Sequence, residues 1–273
     1  MVVTATEPRQ EASGRPKTVF LALASSKKTR LLALTSSFAV IYATLRIVPS
    51  FPIVAVPGAF FSSSDILVPL YGIILGPIFG AAAVILGTYL GIMFGKPFVP
   101  FFFGFDFMPA AIGAISVGFL ARGKRYPVIV IFLVVLAMFL IHPFTVVLVN
   151  LPFGSVPYNW LHFTALILLL SPLSKKASFW INSGLTSQIA RGLVIVALIG
   201  TMMQHLVGGI FYETGFPLIQ PGKYNKEFFA VQWTIIFSLY PVERVILVIA
   251  SVFLGIPLLR NLKVAGLDKK YIR

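Results

Sequence analysis

Residues 62–95 read SSSDILVPLYGIILGPIFGAAAVILGTYLGIMFG, and this stretch decides the fold. After its first few residues it is almost wholly apolar, and Gly76-Pro77 interrupts it. Its glycines recur four apart, at positions 72, 76 and 80 and again at 87, 91 and 95. Residues at that spacing share one helix face, and small residues there let two backbones approach closely in lipid. The stretch therefore predicts a helical hairpin inside a membrane bundle.

Composition sets the class of protein. The chain is 58% hydrophobic and 11% charged, with a mean hydropathy of +0.95. Several apolar runs approach the ~20 residues that cross a bilayer. Because most of the 273 residues lie in such runs, little room is left for a soluble catalytic domain of about 100 residues or more. The absence of cysteine excludes disulfides and thiolate metal sites.

The predicted fold is all-α, a polytopic transmembrane helical bundle. Its apolar segments lie at about residues 31–48, 65–76, 77–95, 100–121, 126–149, 158–172, 188–212 and 231–258. The second and sixth segments are short, so each is a tilted span, a half-helix or a re-entrant piece, which gives six to eight spans. We expect residues 1–28 to form a disordered basic tail, residues 29–262 the transmembrane domain and residues 263–273 a second basic tail.

The positive charges predict the orientation. Most of the 22 lysine and arginine residues fall at segment ends that share one side, and such residues are retained in the cytoplasm. We therefore expect a multi-pass protein of the inner or plasma membrane with both termini cytoplasmic. The net charge of +14 then reflects a basic inner rim facing anionic lipids, and no nucleic-acid partner is needed.

Four ionisable residues map to the outer side, where an importer would receive its solute: Arg46, Asp65, Asp106 and Glu213. An ionisable group within the hydrocarbon is costly and is a functional candidate by default. Structural interpretations are open as well. Asp65 suits a helix N-cap, Glu213 an interfacial position and Arg46 a snorkelling side chain.

Two further polar groups lie deeper in the predicted spans. Glu243 and Arg244 follow Pro241, which kinks a helix, so the pair either contacts neighbouring helices or contacts a solute. His205, with Gln204 beside it, is placed to line a polar cavity.

The aromatic residues allow two interpretations. Trp160 fits a solute pocket or the aromatic belt at the membrane surface. The phenylalanine-rich run Pro97–Phe107 either covers a pocket for a flat solute or lies in the interface. Metal-ligand, phosphate-loop and serine-nucleophile motifs are all missing from the sequence. We therefore expect no catalytic residue, no metal and no cofactor, and a chain that is not an enzyme.

The first span contains Ala39-Val-Ile-Tyr-Ala43, and an uncharged, proline-containing loop follows it. Next come Asp-Ile-Leu-Val-Pro-Leu-Tyr-Gly from Asp65 and Leu-Gly-Pro-Ile-Phe-Gly-Ala-Ala-Ala from Leu75. This arrangement resembles the substrate-binding S component of energy-coupling factor (ECF) transporters, an ABC importer class for vitamins. The resemblance covers residues 31–95 well and the last span more loosely. The usual S component has six spans.

The resemblance implies that the chain captures a small water-soluble vitamin or related metabolite from outside. The loop between the first two spans, residues 49–64, would cover the cavity. The implied partners are a transmembrane coupling subunit and two ABC ATPases, with Ala39 and Ala43 docking on the coupling subunit. The expected substrate-binding residues are Arg46, Asp106, Trp160, His205 and Glu213.

Two other classes are compatible with the sequence. A stand-alone secondary transporter or channel would use the same intramembrane charges for ion coupling, and broken helices are common there. A membrane-embedded enzyme on a lipid substrate would need a carboxylate or histidine cluster with acid–base or metal geometry, and the sequence displays none.

Overall fold

A computed structural model of the chain describes residues 27–56, 59–95, 104–152, 154–219 and 222–264. The predicted tails, apart from Lys27, Lys28, Lys263 and Val264, lie outside the described residues, as does most of the phenylalanine-rich run. Helix dominates the described part, which confirms the all-α class.

The described residues form eight α-helices, one 3-10 helix and two short strand hairpins. The helices are α1 (Lys27–Arg46), α2 (Val68–Phe94), α3 (Met108–Ala121), α4 (Arg125–Ile141), α5 (Trp160–Leu170), α6 (Pro172–Ile181), α7 (Thr186–Ile219) and α8 (Lys226–Val264). Strands β1 (Pro49–Pro52) and β2 (Phe60–Ser62) pair antiparallel after α1, and the 3-10 helix Ser63–Leu67 follows them. Strands β3 (Leu148–Leu151) and β4 (Gly154–Pro157) pair antiparallel before α5.

Three described stretches are long and apolar enough to cross a membrane. They are Ser63–Phe94, Thr186–Leu218 and Lys226–Val264. The chain is therefore suited to a membrane location, as its composition predicts. Helix α7 is central to the bundle and contacts α3, α4, α5, α6 and α8.

Helix α2 is broken at Gly76, whose φ of 91° and ψ of −178° are not helical. A Cβ atom added to Gly80 would lie 2.8 Å from the carbonyl oxygen of Tyr71. Nine residues of continuous helix would separate these positions by about 13 Å. Residues 68–75 and 77–94 therefore fold back on each other, and the predicted hairpin with its break at Gly76-Pro77 is confirmed.

Arg122 stabilises the break from outside the hairpin. Its Nη1 atom donates to the carbonyl oxygens of Gly72 at 3.3 Å and Gly118 at 3.2 Å. Gly72 lies in the last turn of residues 68–75, where carbonyl groups lack partners within the helix. The guanidinium thus satisfies one such group and places positive charge at the negative end of the helix dipole.

Two segments differ from the prediction. The apolar segment at 126–149 does not continue as one helix, because α4 ends at Ile141 and β3 begins at Leu148. Pro143 disfavours helical backbone at the preceding residue, and His142 is extended there with a ψ of 135°. Helix α6 was not predicted. It exposes Lys175 and Lys176 and buries Ala177, so it is amphipathic. Its ten residues contain too few apolar side chains in a row for the sequence to suggest a membrane span.

Candidate functional site

A cavity lies between α1, the β1–β2 hairpin, the 3-10 helix, the start of α3 with Asp106 before it, and helices α7 and α8. Its volume is about 130 Å³. Its ionisable and amide lining consists of Arg46, Asp65, Asp106, Gln204, His205, Glu243 and Arg244. Concave sites with a few convergent polar groups are the usual form of small-molecule sites.

The β1–β2 hairpin forms one wall of the cavity. Pro52, Ile53 and Val54 line it from β1 and the turn, and residues 60–62 line it from β2. Tyr212 of α7 donates its hydroxyl to the carbonyl oxygen of Val54 at 3.3 Å. The hairpin lies within the loop that the sequence predicts as a cover, residues 49–64, and this hydrogen bond ties it to the bundle.

Arg46 and Asp106 are neighbours in the lining of the cavity. Arg46 Nη2 lies 3.9 Å from Asp106 Oδ1, and 13% and 4% of these side chains are exposed. Gly91 makes room for the arginine, since a Cβ atom there would lie 2.8 Å from Arg46 Cδ. Arg46 is the last residue of α1, where a cation is favoured by the helix dipole. The structure therefore brings together Arg46 and Asp106, two of the predicted substrate-binding residues.

Glu243 and Arg244 form a second pair, on α8. Arg244 Nη2 lies 3.6 Å from Glu243 Oε2, and Arg244 Nη1 donates to Thr201 Oγ1 of α7 at 3.2 Å. Both residues also line the cavity. The two interpretations that the sequence left open are therefore compatible: the pair is held by its own contacts and also faces the cavity.

Asp65 is held by an amide from a distant part of the chain. Gln204 Nε2 donates to Asp65 Oδ1 at 2.9 Å. The N-cap interpretation of Asp65 is wrong, because Ser62 takes that position and Asp65 lies within the first turn of the 3-10 helix. Asp65 and Gln204 lie 139 positions apart in the chain, so no local sequence pattern predicts this hydrogen bond.

His205 reaches the cavity from a buried stack of rings. Its Nδ1 atom lies 3.0 Å from His162 Nε2, and its ring centroid is 4.8 Å from that of Tyr240. Tyr240 donates its hydroxyl to the Tyr158 carbonyl oxygen at 2.8 Å. His162, Tyr158 and Tyr240 are fully buried, so these contacts fix the His205 ring in the cavity wall.

Two predicted site residues are not in the cavity lining. Glu213 is fully buried, and its carboxylate accepts from Thr145 Oγ1 at 2.8 Å and Trp233 Nε1 at 2.7 Å. His142 Nδ1 lies 2.9 Å from Glu213 Oε2. These contacts join the segment after α4 to α7 and α8. Trp160 is the first residue of α5 and is 40% exposed.

The two alanines predicted to dock on a partner differ in exposure. Ala39 is 2% exposed, and its carbonyl oxygen would lie 2.7 Å from a Cβ atom at Gly87. Its methyl group is therefore buried within this chain, because α1 packs closely on residues 77–94. Ala43 is half-buried.

Comparison of the chain with protein-family models, with curated proteins and with solved structures found no match in any of the three. Within the described ranges, histidine, aspartate and glutamate side chains form no group of three or more that would hold a metal ion. The function is therefore inferred from the cavity itself.

Proposed function

We propose that this chain is the membrane-embedded, substrate-binding S component of an ECF-type importer, and that it captures a small water-soluble vitamin or related metabolite from outside. The observation that carries the proposal is the cavity whose wall is formed in part by the β1–β2 hairpin, at the place between the first two spans where an S component would have its cover. Tyr212 of α7 donates a hydrogen bond to Val54 of the hairpin, and we propose that the hairpin moves away from α7 to admit the solute.

The lining of the cavity supports a water-soluble solute. Buried charges within a membrane bundle are costly and persist where they contact partners, substrates or ions. This cavity gathers two arginines and three carboxylates among aromatic side chains. A lipid-binding groove would not need that number of ionisable groups.

We further propose eight passes: α1, residues 63–75, residues 77–94, α3, α4, α5, α7 and α8. Most of the basic residues in the described ranges then lie at helix ends on the side away from the cavity, which would be the cytoplasmic side; Arg46, Lys223, Lys226 and Arg244 do not. Contacts between these ends support the arrangement. Arg260 Nη1 donates to Thr186 Oγ1 at 3.4 Å, and Arg125 Nη1 donates to the Leu170 carbonyl oxygen at 3.2 Å. Both termini are then cytoplasmic.

Energy would come from partners, a transmembrane coupling subunit and two ABC ATPases. We propose that the coupling subunit docks on α1 beside Ala43, where Val40 and Thr44 are exposed. An Ala43→Trp variant is expected to lose the coupling subunit and keep solute binding. Retained transport in that variant would contradict the docking site.

A stand-alone secondary transporter is the second candidate. In such proteins a broken helix commonly forms the binding site near the bilayer midplane. Here the break at Gly76 contacts Arg122, and neither Gly76 nor Pro77 lines the cavity. The geometry therefore favours the S component.

The test is purification of the tagged chain from its native host in mild detergent, followed by mass spectrometry of the proteins that accompany it. The proposal predicts recovery of ABC ATPases with a second polytopic subunit. A partnerless chain, in a preparation from which a known ABC complex is recovered intact, would overturn it.

A further inference from the structure

We propose that helix α6 lies at the membrane surface and, together with the α3–α4 loop at residues 122–125, binds the headgroup of an anionic phospholipid. This inference goes beyond the proposed function, and it holds whether or not the chain is an S component. It rests on the position of α6 in the bundle, on the distribution of its side chains and on the cations that its contacts bring together.

Helix α6 lies at the end of the bundle away from the cavity. A Cβ atom added to Gly192 of α7 would lie 2.9 Å from the Ala177 carbonyl oxygen and 2.8 Å from Ile181 Cγ1, so α6 packs on the first turns of α7. The cavity lining on α7 begins at Gln204, about 12 residues or about 18 Å further along the helix. The ten residues of α6 extend about 15 Å and cannot cross the ~30 Å hydrocarbon core. Helix α6 is therefore placed at one surface of the membrane.

The side chains of α6 are distributed as in a helix that lies on a membrane. Its buried face consists of three residues at helical spacing, Ser174, Ala177 and Ile181. Leu173, Lys176 and Phe179 are spaced three apart on the other side, and 44% of Leu173 and 69% of Phe179 are exposed. A lysine between exposed apolar side chains is typical of an interfacial helix, which buries its apolar groups among acyl chains and keeps its cation at the headgroups.

The α3–α4 loop lies directly beside α6. Ser178 Oγ of α6 donates to the Ala121 carbonyl oxygen at 2.9 Å, and a Cβ atom at Gly123 would lie 3.8 Å from Ser178 Oγ. Arg125 Nη1 donates to the Ser171 carbonyl oxygen at 3.5 Å, just before α6 begins. The loop therefore runs along one side of α6.

These contacts gather four cations. Lys124 lies in the loop, between the residues that contact α6. Lys175 lies one helical turn from Ser178, and Lys176 follows it. All three lysines are exposed. Arg125 is the fourth cation, and its hydrogen bonds to the backbone before α6 hold it beside them.

The described acids lie elsewhere in the bundle. The sequence has no aspartate or glutamate between Asp106 and Glu213. Asp65, Asp106 and Glu243 line the cavity, Glu213 contacts Trp233, and Glu227 is in the first turn of α8. The counter-charge for the four cations therefore has to come from outside the described chain.

A phospholipid fits both features of this surface. Lysine and arginine are the usual phosphate-binding residues, and basic clusters at a membrane surface bind anionic headgroups. The acyl chains of the same molecule would cover Leu173 and Phe179. A soluble phosphate would contact the cations alone and leave these two apolar side chains in water.

The test is native mass spectrometry of the purified full-length chain in detergent, titrated separately with two lipids. Palmitoyl-oleoyl phosphatidylglycerol and palmitoyl-oleoyl phosphatidylcholine share their acyl chains and differ in the net charge of the headgroup. We expect the affinity for phosphatidylglycerol to be at least about tenfold the higher, because each basic residue near an anionic surface strengthens binding by about fivefold.

The matched variants are two double substitutions, Lys175→Gln with Lys176→Gln and Lys223→Gln with Lys226→Gln. Each removes two exposed lysines and so changes the net charge equally, but Lys223 and Lys226 lie at the start of α8, far from α6. We expect the first variant to lower the affinity for phosphatidylglycerol at least about tenfold and to leave that for phosphatidylcholine unchanged. The second should change neither affinity. Equal unfolding temperatures show that both variants are folded.

A single substitution tests the loop. Lys124→Gln should lower the affinity for phosphatidylglycerol by about fivefold, and an unchanged affinity would contradict a site shared between the loop and α6. Equal affinities of the unaltered chain for the two lipids, or equal losses in the two double variants, would also overturn the inference.

Two further results would assign the surface to another ligand and overturn the inference as well. Displacement of phosphatidylglycerol by an equal concentration of glycerol phosphate would indicate a site for a soluble phosphate. Loss of accompanying proteins from the Lys175→Gln, Lys176→Gln variant, with unchanged lipid binding, would indicate a protein-binding surface. The proposed function is tested separately, by recovery of ABC ATPases with the unaltered chain.

Discussion

Gln204 Nε2 donates to Asp65 Oδ1 across 2.9 Å and so joins α7 to the 3-10 helix in the cavity wall. Because the acceptor is a carboxylate, loss of the amide leaves a buried oxygen atom of Asp65 without this hydrogen-bond donor, which costs free energy. Gln204→Leu should lower the free energy of unfolding by about 1–3 kcal/mol, seen as a lower unfolding temperature in detergent. Gln188→Leu, at the start of the same helix, is the control and should change little. Equal shifts in the two variants would contradict this role.

The break in α2 requires glycine at position 76. Its φ of 91° is strained for other residues, and a Cβ atom would collide with the Arg122 guanidinium. Gly76→Ala should therefore cost about 1–3 kcal/mol or more, measured by thermal unfolding. Gly184→Ala is the matched control, because its Cβ atom would meet nothing within 4 Å. A stable Gly76→Ala protein would show that the hairpin does not depend on this turn.

Glu213 is expected to stabilise the fold and to take no part in solute binding. Glu213→Ala would leave Trp233 Nε1 without its acceptor at 2.7 Å, at a cost of about 1–3 kcal/mol. The affinity of the folded fraction for the co-purified solute should be unchanged. Glu227→Ala, an exposed acid at the start of α8, should alter neither quantity. A selective loss of affinity in Glu213→Ala would show instead that Glu213 takes part in solute binding.

The hydrogen bond from Tyr212 to Val54 should control how often the hairpin opens. Tyr212→Phe removes it, and a hydrogen bond of this kind contributes about 0.5–1.5 kcal/mol. Hydrogen exchange at the amides of Ile53 and Ala59 should therefore become about two- to tenfold faster. Tyr126→Phe, at a tyrosine that is 72% exposed, should leave these rates unchanged. Unaltered exchange in Tyr212→Phe would mean that other contacts hold the hairpin.

Sequence patterns predict the helical class and the broken hairpin well. Apolar runs and glycine spacing are local signals, and the Gly76-Pro77 break follows from the chemistry of two adjacent residues. The end of α4 was predictable in principle from Pro143, but a continuous apolar run concealed it. Helix α6 has too few apolar residues to register as a span.

The candidate site was only partly predictable. Arg46, Asp106 and His205 were found because an ionisable group in an apolar segment stands out, and all three line the cavity. The same rule selected Glu213, which is fully buried and is held by Thr145 and Trp233. The sequence alone does not show which ionisable residues of the apolar segments reach a cavity. The difference depends on contacts between residues far apart in the chain.

The most direct test of the central claim, that the cavity beneath the β1–β2 hairpin holds the solute, is native mass spectrometry of the chain purified from its native host. Gly208 lines the cavity, and a Cβ atom there has its nearest neighbour, Pro109 Cγ, at 3.9 Å. Gly208→Phe should therefore fill the cavity without striking the backbone. We predict a small-molecule adduct on the unaltered chain and none on Gly208→Phe of equal unfolding temperature. An adduct of the same mass on both proteins would contradict the claim.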